Sequence, residues 1–180
     1  MKKVLVVSLC KYELHESEFV RPVLNILIDN CINYSLKNYK DINSNLVEDF
    51  DKIILCGTGL LDNDFLNNLN NFNWILNYNG DILGICAGMQ ILGLVYGGNL
   101  KKKTEIGFYS EEFNFNFLGL IGKKEVYHLH NNYICDWEKI GFKVYSTSNI
   151  PQAVKRNSFY GVLFHPEIRN KDLILNFLKL

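Results

Sequence analysis

The sequence predicts a three-layer α/β fold in which helices cover a mostly parallel central sheet, together with a small antiparallel β region. Short continuous apolar runs predict strands that are buried on both faces, and segments with helical spacing alternate with these runs. After Gly98 the pattern changes to one typical of β-hairpins, which predicts the antiparallel region. The chain has 180 residues, of which 48% are hydrophobic, and we expect a single domain that spans residues 1–180.

The first half of the chain contains the alternating elements. Its apolar runs predict strands at Lys3–Ser8, Ile32–Leu36, Lys52–Leu55 and Asp81–Ile85. Helical spacing predicts helices at Phe19–Asn30, Phe65–Tyr78 and Ala87–Tyr96. Residues 37–46 are rich in Asn, Lys and Ser, and we expect a surface connection there. Strands that alternate with helices indicate right-handed crossovers between parallel strands.

The second half contains the predicted hairpins and the final elements. Hairpin segments are expected at Phe108–Gly119, Lys124–Tyr133, Phe142–Thr147 and Gln152–Arg156. A further strand at Tyr160–Phe164 ends at His165, and a terminal helix follows at Asp172–Leu180. The basic run Lys101–Lys103 is interpreted as a solvated loop.

Charge and composition exclude several kinds of partner. The 19 basic and 19 acidic residues give a formal net charge of zero, so we expect neither a nucleic acid nor an anionic membrane as partner. No apolar stretch approaches the roughly 20 residues that a membrane helix needs, and the apolar part of Met1–Ser8 is too short for a signal peptide. The five cysteines form no Cys-x-x-Cys pair, which fits reduced thiols and a cytoplasmic protein.

Two motifs carry the expected chemistry. The run Gly84-Ile85-Cys86-Ala87-Gly88-Met89-Gln90 places a cysteine between two glycines, where a predicted strand meets a predicted helix. This pattern is typical of a nucleophile elbow, a tight turn in which side chains at the glycine positions would collide with neighbouring backbone. Far downstream, His165-Pro166-Glu167 provides a candidate base and a carboxylate to orient it.

These residue types fit nucleophilic attack on an amide. A thiol reacts as the thiolate, which the N-terminus of a helix beginning at Ala87 and a nearby His165 would both favour. Glu167 would hydrogen-bond the imidazole and fix its tautomer. The resulting oxyanion needs two N–H donors, for which we expect Ala87 and the turn Gly57-Thr58-Gly59. The turn follows a neighbouring strand, so it should meet the elbow beyond the carboxyl ends of the sheet.

The two motifs together resemble those of the class I (triad-type) glutamine amidotransferases. The resemblance rests on Gly84–Gln90 and on Tyr160–Glu167, and it extends over nearly the whole chain. It implies a flavodoxin-like fold and removal of ammonia from the side chain of L-glutamine. By the same resemblance, the ammonia passes to a separate ATP-dependent synthetase or ammonia-acceptor subunit.

The resemblance also implies roles for individual residues. The catalytic residues would be Cys86 as nucleophile, His165 as base and acid, and Glu167 as orienting carboxylate. The backbone N–H groups of Thr58 and Ala87 would form the oxyanion hole. The expected glutamine-binding residues are Gly57, Gly59, Gln90, His130 and Asn131.

Departures from the family pattern leave the subgroup open. Met89 stands where many members of the GMP synthetase branch have His, and Leu163 stands where the family most often has Gln. The form Gly88-Met89-Gln90 and the stretch Glu105–Phe108 are similar to the glutaminase subunit of imidazole glycerol phosphate synthase. The segment Ser8–Glu18 lacks that subunit's asparagine-bearing loop.

Two alternatives to a glutaminase subunit remain: a γ-glutamyl hydrolase or peptidase that acts alone, and a non-catalytic homologue that binds glutamine. His128 and His130 share one face of a predicted strand and form a possible metal pair. No third ligand is evident, so we expect a structural or glutamine-site role, with no metal and no cofactor. The sequence also places His15 at the surface and Trp74 and Trp137 in the core or at a domain edge.

Overall fold

The computed structural model describes residues 3–180, so the interpretation of Met1 and Lys2 lies outside the described residues. It contains a seven-stranded sheet and a separate two-stranded sheet. In chain order the strands are β1 Val4–Ser8, β2 Tyr34–Asn38, β3 Lys52–Leu55, β4 Asp81–Ile85, β5 Asn99–Phe117, β6 Leu120–Cys135, β7 Lys143–Val144, β8 Ala153–Arg156 and β9 Phe159–Val162. Over residues 3–180, no helix has both the length and the apolar character needed to cross a membrane.

The α-helices are short, with four to nine residues each. The α-helices are α1 Glu13–Phe19, α2 Arg21–Asp29, α3 Ser44–Val47, α4 Ala87–Val95 and α5 Lys171–Lys179. Three segments are 3₁₀-helical: Tyr39–Asp41, Asp64–Asn77 and Trp137–Ile140. The predicted mixed α/β fold with a mostly parallel central sheet and a small antiparallel sheet is confirmed.

The large sheet has the strand order β2-β1-β3-β4-β9-β8-β7. Strands β2, β1, β3, β4 and β9 are parallel, whereas β8 and β7 join by antiparallel pairing. The chain therefore reverses its direction of winding between β1 and β3, and ligands of open α/β sheets bind outside the carboxyl ends of strands at such a point.

A hydrophobic core lies on each face of the large sheet. Alternate residues of β1 enter different cores, with Val4 and Val6 in one and Leu5 and Val7 in the other. The first core includes side chains of α1, α2 and α5, and the second includes side chains of α4 and of the 3₁₀ segment Asp64–Asn77. This explains why the buried strands contain continuous apolar runs.

Several expectations about individual elements were wrong. The helix predicted at Phe19–Asn30 is preceded by α1 and begins at Arg21. The segment predicted as a helix at Phe65–Tyr78 is a 3₁₀ run broken at Asn68, whose side-chain Nδ2 donates to the carbonyl oxygen of Asp64 at 2.8 Å. A side chain that bonds the backbone in this way competes with regular helical hydrogen bonding.

The antiparallel sheet is much longer than the sequence predicted. Strands β5 and β6 pair along most of their length, from Asn99 with Cys135 to Phe117 with Leu120. Lys101–Lys103, expected in a loop, lies in β5. This part of β5 has little apolar alternation because its side chains are exposed, so backbone pairing with β6 defines the strand.

Candidate active site

The two predicted motifs meet at the carboxyl edge of the central sheet. Cys86 directly follows β4, Gly57 follows β3 by two residues, and His165 follows β9 by three. Because β3, β4 and β9 are neighbours and parallel, their ends lie side by side. The sheet order alone therefore brings together residues that are 108 positions apart in the chain (Gly57 to His165).

The backbone of Cys86 forms a strained turn between β4 and α4. Its φ of 50° and ψ of −103° lie outside the regions that L-residues ordinarily adopt, at a cost of about 1–3 kcal/mol. The surrounding structure holds this turn. A Cβ at Gly84 would lie 2.6 Å from the carbonyl carbon of Gly88, and one at Gly88 would overlap the carbonyl oxygen of Leu55. The glycines thus permit the close approach of α4 to the sheet, as expected for a nucleophile elbow.

The Cys86 side chain is 4% exposed and lies against β6. Its Sγ is 3.6 Å from the carbonyl oxygen of Leu129, to which the thiol donates. The Cys86 N–H donates to the carbonyl oxygen of Val162 at 2.8 Å, which ties the turn to β9.

His165 and Glu167 form a buried pair. The Nδ1 of His165 lies 2.7 Å from Oε1 of Glu167, and the His165 N–H donates to the carbonyl oxygen of Tyr127 at 2.9 Å. Burial lowers the pKa of His165, but the charges of Glu167 and of a Cys86 thiolate raise it, and the net pKa lies well above its ordinary value. The Nε2 atom is buried without a hydrogen-bond partner among the described residues, so it is available to a reacting group.

Gly57 packs directly against this pair. A Cβ at Gly57 would lie 2.7 Å from Cε1 of His165 and 3.5 Å from Cβ of Cys86. The imidazole and the thiol side chain therefore both lie within contact distance of one glycine. The sequence predicted Gly57 as a glutamine-binding residue, but Gly57 does not line the cavity beside Cys86.

A small cavity lies beside Cys86. Its volume is about 20 Å³ for the centres of water molecules, which is room for one or two waters. Six residues that the sequence predicted at the site line it together with Cys86: Thr58, Gly59, Ala87, Gln90, His130 and Asn131. The structure thus brings the predicted oxyanion and substrate residues, apart from Gly57, to one cavity.

Hydrogen bonds close the wall of this cavity between the Gly57–Asn63 loop and β6. Asn131 Nδ2 donates to the carbonyl oxygen of Leu60 at 3.1 Å, and Asn132 Nδ2 lies 3.3 Å from Oδ1 of Asn63. Gln90 Nε2 donates to the carbonyl oxygen of Asn132 at 3.0 Å, which ties α4 to the same strand.

Asp62 organises the loop, and sequence reasoning missed it. One carboxylate oxygen, Oδ2, accepts from Thr58 Oγ1 at 2.9 Å and from the Lys11 N–H at 2.8 Å, and lies 3.2 Å from His15 Nδ1. His15 is therefore partly buried against the site and not simply a surface residue. The sequence signal that could have identified Asp62 was its position, four residues after Thr58 of the Gly57-Thr58-Gly59 turn.

Behind the cavity wall, two histidines of β6 meet a glutamate of β5. Glu105 Oε2 lies 3.1 Å from His128 Nδ1 and 3.1 Å from His130 Nε2. Burial lowers the pKa of both imidazoles to about 4, aided by His165 for His128 and by His128 for His130. These contacts therefore join a carboxylate to neutral imidazoles. The sequence identified the histidine pair but not Glu105, which lies 23 residues before His128.

Comparison with protein families decides the classification. The model of the family "Glutamine amidotransferase class-I" matches residues 16–179. The chain belongs to the class I glutamine amidotransferases. The predicted family is thereby confirmed, and its subgroup remains open.

Curated relatives of this family member include GMP synthases (glutamine-hydrolysing). The one from Staphylococcus epidermidis is 31% identical over 117 residues, which cover 58% of this chain and 23% of the relative. The one from Listeria monocytogenes is 36% identical over 109 residues, which cover 53% of this chain and 21% of the relative. The matched part is less than a quarter of the length of these relatives.

Solved structures show the same fold. A protein from Thermoplasma acidophilum, described as a GMP synthase subunit, has a TM-score of 0.85 at 23% identity, covering 99% of this chain and 93% of that one. A glutamine amidotransferase from Thermotoga maritima has a TM-score of 0.71 at 19% identity, covering 99% and 81% of the two chains. At these identities the likeness establishes the fold.

Proposed function

We propose that the chain hydrolyses L-glutamine to glutamate and ammonia through a γ-glutamyl thioester on Cys86. One observation carries the proposal: a cysteine in a strained elbow and an imidazole paired to a buried carboxylate both lie against Gly57. Membership of the class I glutamine amidotransferases supports glutamine as substrate.

The first half-reaction forms the thioester. The Cys86 thiolate attacks the side-chain amide carbon of glutamine, and the negative charge moves to the amide oxygen. The N–H groups of Ala87 and Thr58, both at the cavity, are the proposed donors to this oxyanion. As the intermediate collapses, the carbon–nitrogen bond breaks and His165 gives its proton to the leaving ammonia. The raised pKa of His165 supports an imidazolium that is charged at this stage.

The second half-reaction regenerates the enzyme. Neutral His165 takes a proton from water, and the hydroxide adds to the thioester carbonyl. Collapse breaks the carbon–sulfur bond, releases glutamate and returns Cys86 and His165 to their starting states. Glu167, 2.7 Å from Nδ1, holds the imidazole so that Nε2 faces the reacting groups in both steps.

The small volume of the cavity implies control of this activity. A space for one or two waters does not admit glutamine, so the Gly57–Asn63 loop has to separate from β6 before substrate binds. We infer low glutaminase activity for the isolated chain and higher activity when a separate ATP-dependent synthetase docks. Because the curated relatives are GMP synthases, a GMP-forming synthetase is the first partner to test.

Labelling with a diazo-ketone analogue of glutamine tests the proposal. We expect a single adduct on Cys86, detected by mass spectrometry, that excess glutamine blocks and that Cys86→Ala removes. Cys135, a partly exposed thiol, serves as the internal control for non-specific alkylation. No adduct on Cys86 with or without a synthetase, while Cys135 reacts with a simple alkylating agent, would contradict a glutaminase. Faster release of glutamate from γ-glutamyl peptides than from glutamine would instead support a hydrolase that acts alone.

A further inference from the structure

The pairing of β5 with β6 gathers three potential metal ligands on one face of the antiparallel sheet. Glu105 lies directly opposite His130, and His128 is two residues away on the same strand. Because side chains alternate between the faces of a strand, all three project from the same face. Their ligand atoms, one from each residue, all lie within 4.8 Å of one another.

The hydrogen bonding of these histidines is incomplete. His130 is 1% exposed, and neither of its ring nitrogens has a hydrogen-bond partner among the described residues. The approach of Glu105 to its Nε2 at 3.1 Å does not have hydrogen-bond geometry. Buried polar groups are almost always paired, and a metal cation would accept the lone pair of an unpaired imidazole nitrogen.

We propose that Glu105, His128 and His130 bind a divalent transition-metal cation, with Zn²⁺ as the ion that fits best. Two imidazoles and one carboxylate are a ligand set that zinc takes in proteins, with water in the fourth position. Magnesium and calcium prefer oxygen ligands throughout, so two buried imidazoles disfavour them.

Two of the three ligand–ligand distances agree with a tetrahedral site. Metal–ligand bonds of about 2.0–2.1 Å place neighbouring ligand atoms roughly 3.3 Å apart. Glu105 Oε2 lies 3.1 Å from each of the two histidine nitrogens, close to that edge length. The remaining edge, between the two histidines, lies within 4.8 Å and is the one that would adjust when the ion binds.

The surroundings of His128 match those of a metal-binding histidine. Its second nitrogen, Nε2, lies 3.4 Å from Oε1 of Glu111 without forming a hydrogen bond. A small movement would give it the carboxylate partner that metal-bound imidazoles characteristically have. The ring of Tyr109 stacks on the imidazole at 4.5 Å and 15°, which restricts its orientation.

The proposed ion lies beside the catalytic cavity but outside the proposed glutamine chemistry. His130 lines the cavity, and Leu129, between the two histidines, accepts the contact from Cys86. The ion would join β5 to β6 at this level and so hold the strand against which the thiol rests. No step of glutamine hydrolysis passes through it, so its binding can be measured without activity.

The test is metal binding by the untagged full chain with Cys86→Ser, which removes the site thiol as a competing ligand. Calorimetric titration with Zn²⁺ should show one ion per chain. Glu105→Gln, which keeps the shape of the side chain, should lower the affinity at least about 100-fold. Glu112→Gln is the matched control, because Glu112 lies on the opposite face of the same strand and is exposed.

A second measurement needs no ligand variant. Co²⁺ bound to the Cys86→Ser chain should give the visible absorption of a tetrahedral site without a sulfur-to-cobalt charge-transfer band. Failure to bind either metal, equal binding by the Glu105→Gln and Glu112→Gln variants, or a charge-transfer band that indicates thiolate ligands would each overturn the proposal. These outcomes are independent of whether the chain is a glutaminase.

Discussion

Replacing Gly57 with alanine should disable the site by moving one side chain. The new Cβ would lie 2.7 Å from Cε1 of His165, whereas ordinary contacts between carbon atoms are about 3.5–4.0 Å. The imidazole therefore has to move by about 1 Å. On its other sides the imidazole is held by Glu167, whose Oε1 lies 2.7 Å from Nδ1, and by Phe19, whose ring centroid lies 5.6 Å from that of the imidazole. The movement therefore misaligns Nε2. A misplacement of about 1 Å costs about 100-fold in rate, and we expect kcat to fall by that amount.

The control for Gly57→Ala is Gly93→Ala. A Cβ at Gly93 would also meet an atom at 2.7 Å, but that atom is Cγ1 of Ile134, in the core at the far end of α4. Both variants should lose about 1–3 kcal/mol of unfolding free energy from overpacking, measured by urea denaturation. Only Gly57→Ala should lose glutaminase activity about 100-fold, measured as glutamate release at saturating glutamine with any activating synthetase present. Equal loss of kcat in both variants would refute the assignment of His165.

The other predictions concern the buried charges. Glu167→Gln should lower kcat by up to about 10⁴-fold in the same assay with the Cys86 elbow intact, because the imidazole loses the carboxylate that selects its tautomer. The pKa of His165 is higher in the folded chain than in the unfolded chain, where it is about 6.5. Protonated His165 therefore stabilises the fold fully at pH values below about 6.5, and this stabilisation is lost as the pH rises through the pKa of the folded state. Urea unfolding at about pH 6 and about pH 9 should therefore show a smaller pH dependence for Glu167→Gln than for the parent, and an unchanged dependence would contradict this. Asp81→Asn should cost about 3 kcal/mol of unfolding free energy, because it removes a charged partner of the fully buried Lys52 ammonium.

The central sheet could be predicted because its strands carry their own signal. Lys52–Leu55 and Asp81–Ile85 are strands with the predicted bounds, since continuous apolar runs of this length are typical of strands buried on both faces. The bounds of β5 and β6 could not be predicted in the same way. Most side chains of β5 are exposed, and the buried positions of β6 include the polar residues His128, His130 and Asn132. The register from Asn99 with Cys135 onward therefore depends on backbone pairing, which leaves little apolar periodicity in the sequence.

The same distinction between local signals and tertiary contacts applies to the residues of the site. Cys86 and the His165–Glu167 pair could be predicted because the elbow requires glycines at fixed positions and the second motif is local. Glu105 could not, because its histidine partners lie 23 or more residues away and only the pairing of β5 with β6 brings them close. Asp62 has a local partner in Thr58, but its contacts with Lys11 and His15 lie 47 or more residues away along the chain. The strain at Cys86 (φ 50°) likewise arises from packing of α4 against the sheet, which the sequence indicates only through its glycines.

Strand β6 connects every part of the site, and this explains why one displacement could control it. The carbonyl oxygen of Tyr127 accepts from the His165 N–H, that of Leu129 accepts from the Cys86 thiol, and the side chains of Asn131 and Asn132 hold the Gly57–Asn63 loop. Within the described residues β6 pairs only with β5, so it lacks the two flanking partners of a central strand and moves at lower cost. A partner that shifts β6 would therefore open the cavity and alter the contacts of both His165 and Cys86 at once. An ion held by Glu105, His128 and His130 would join β6 to β5, so the two strands would move together when a partner opens the cavity.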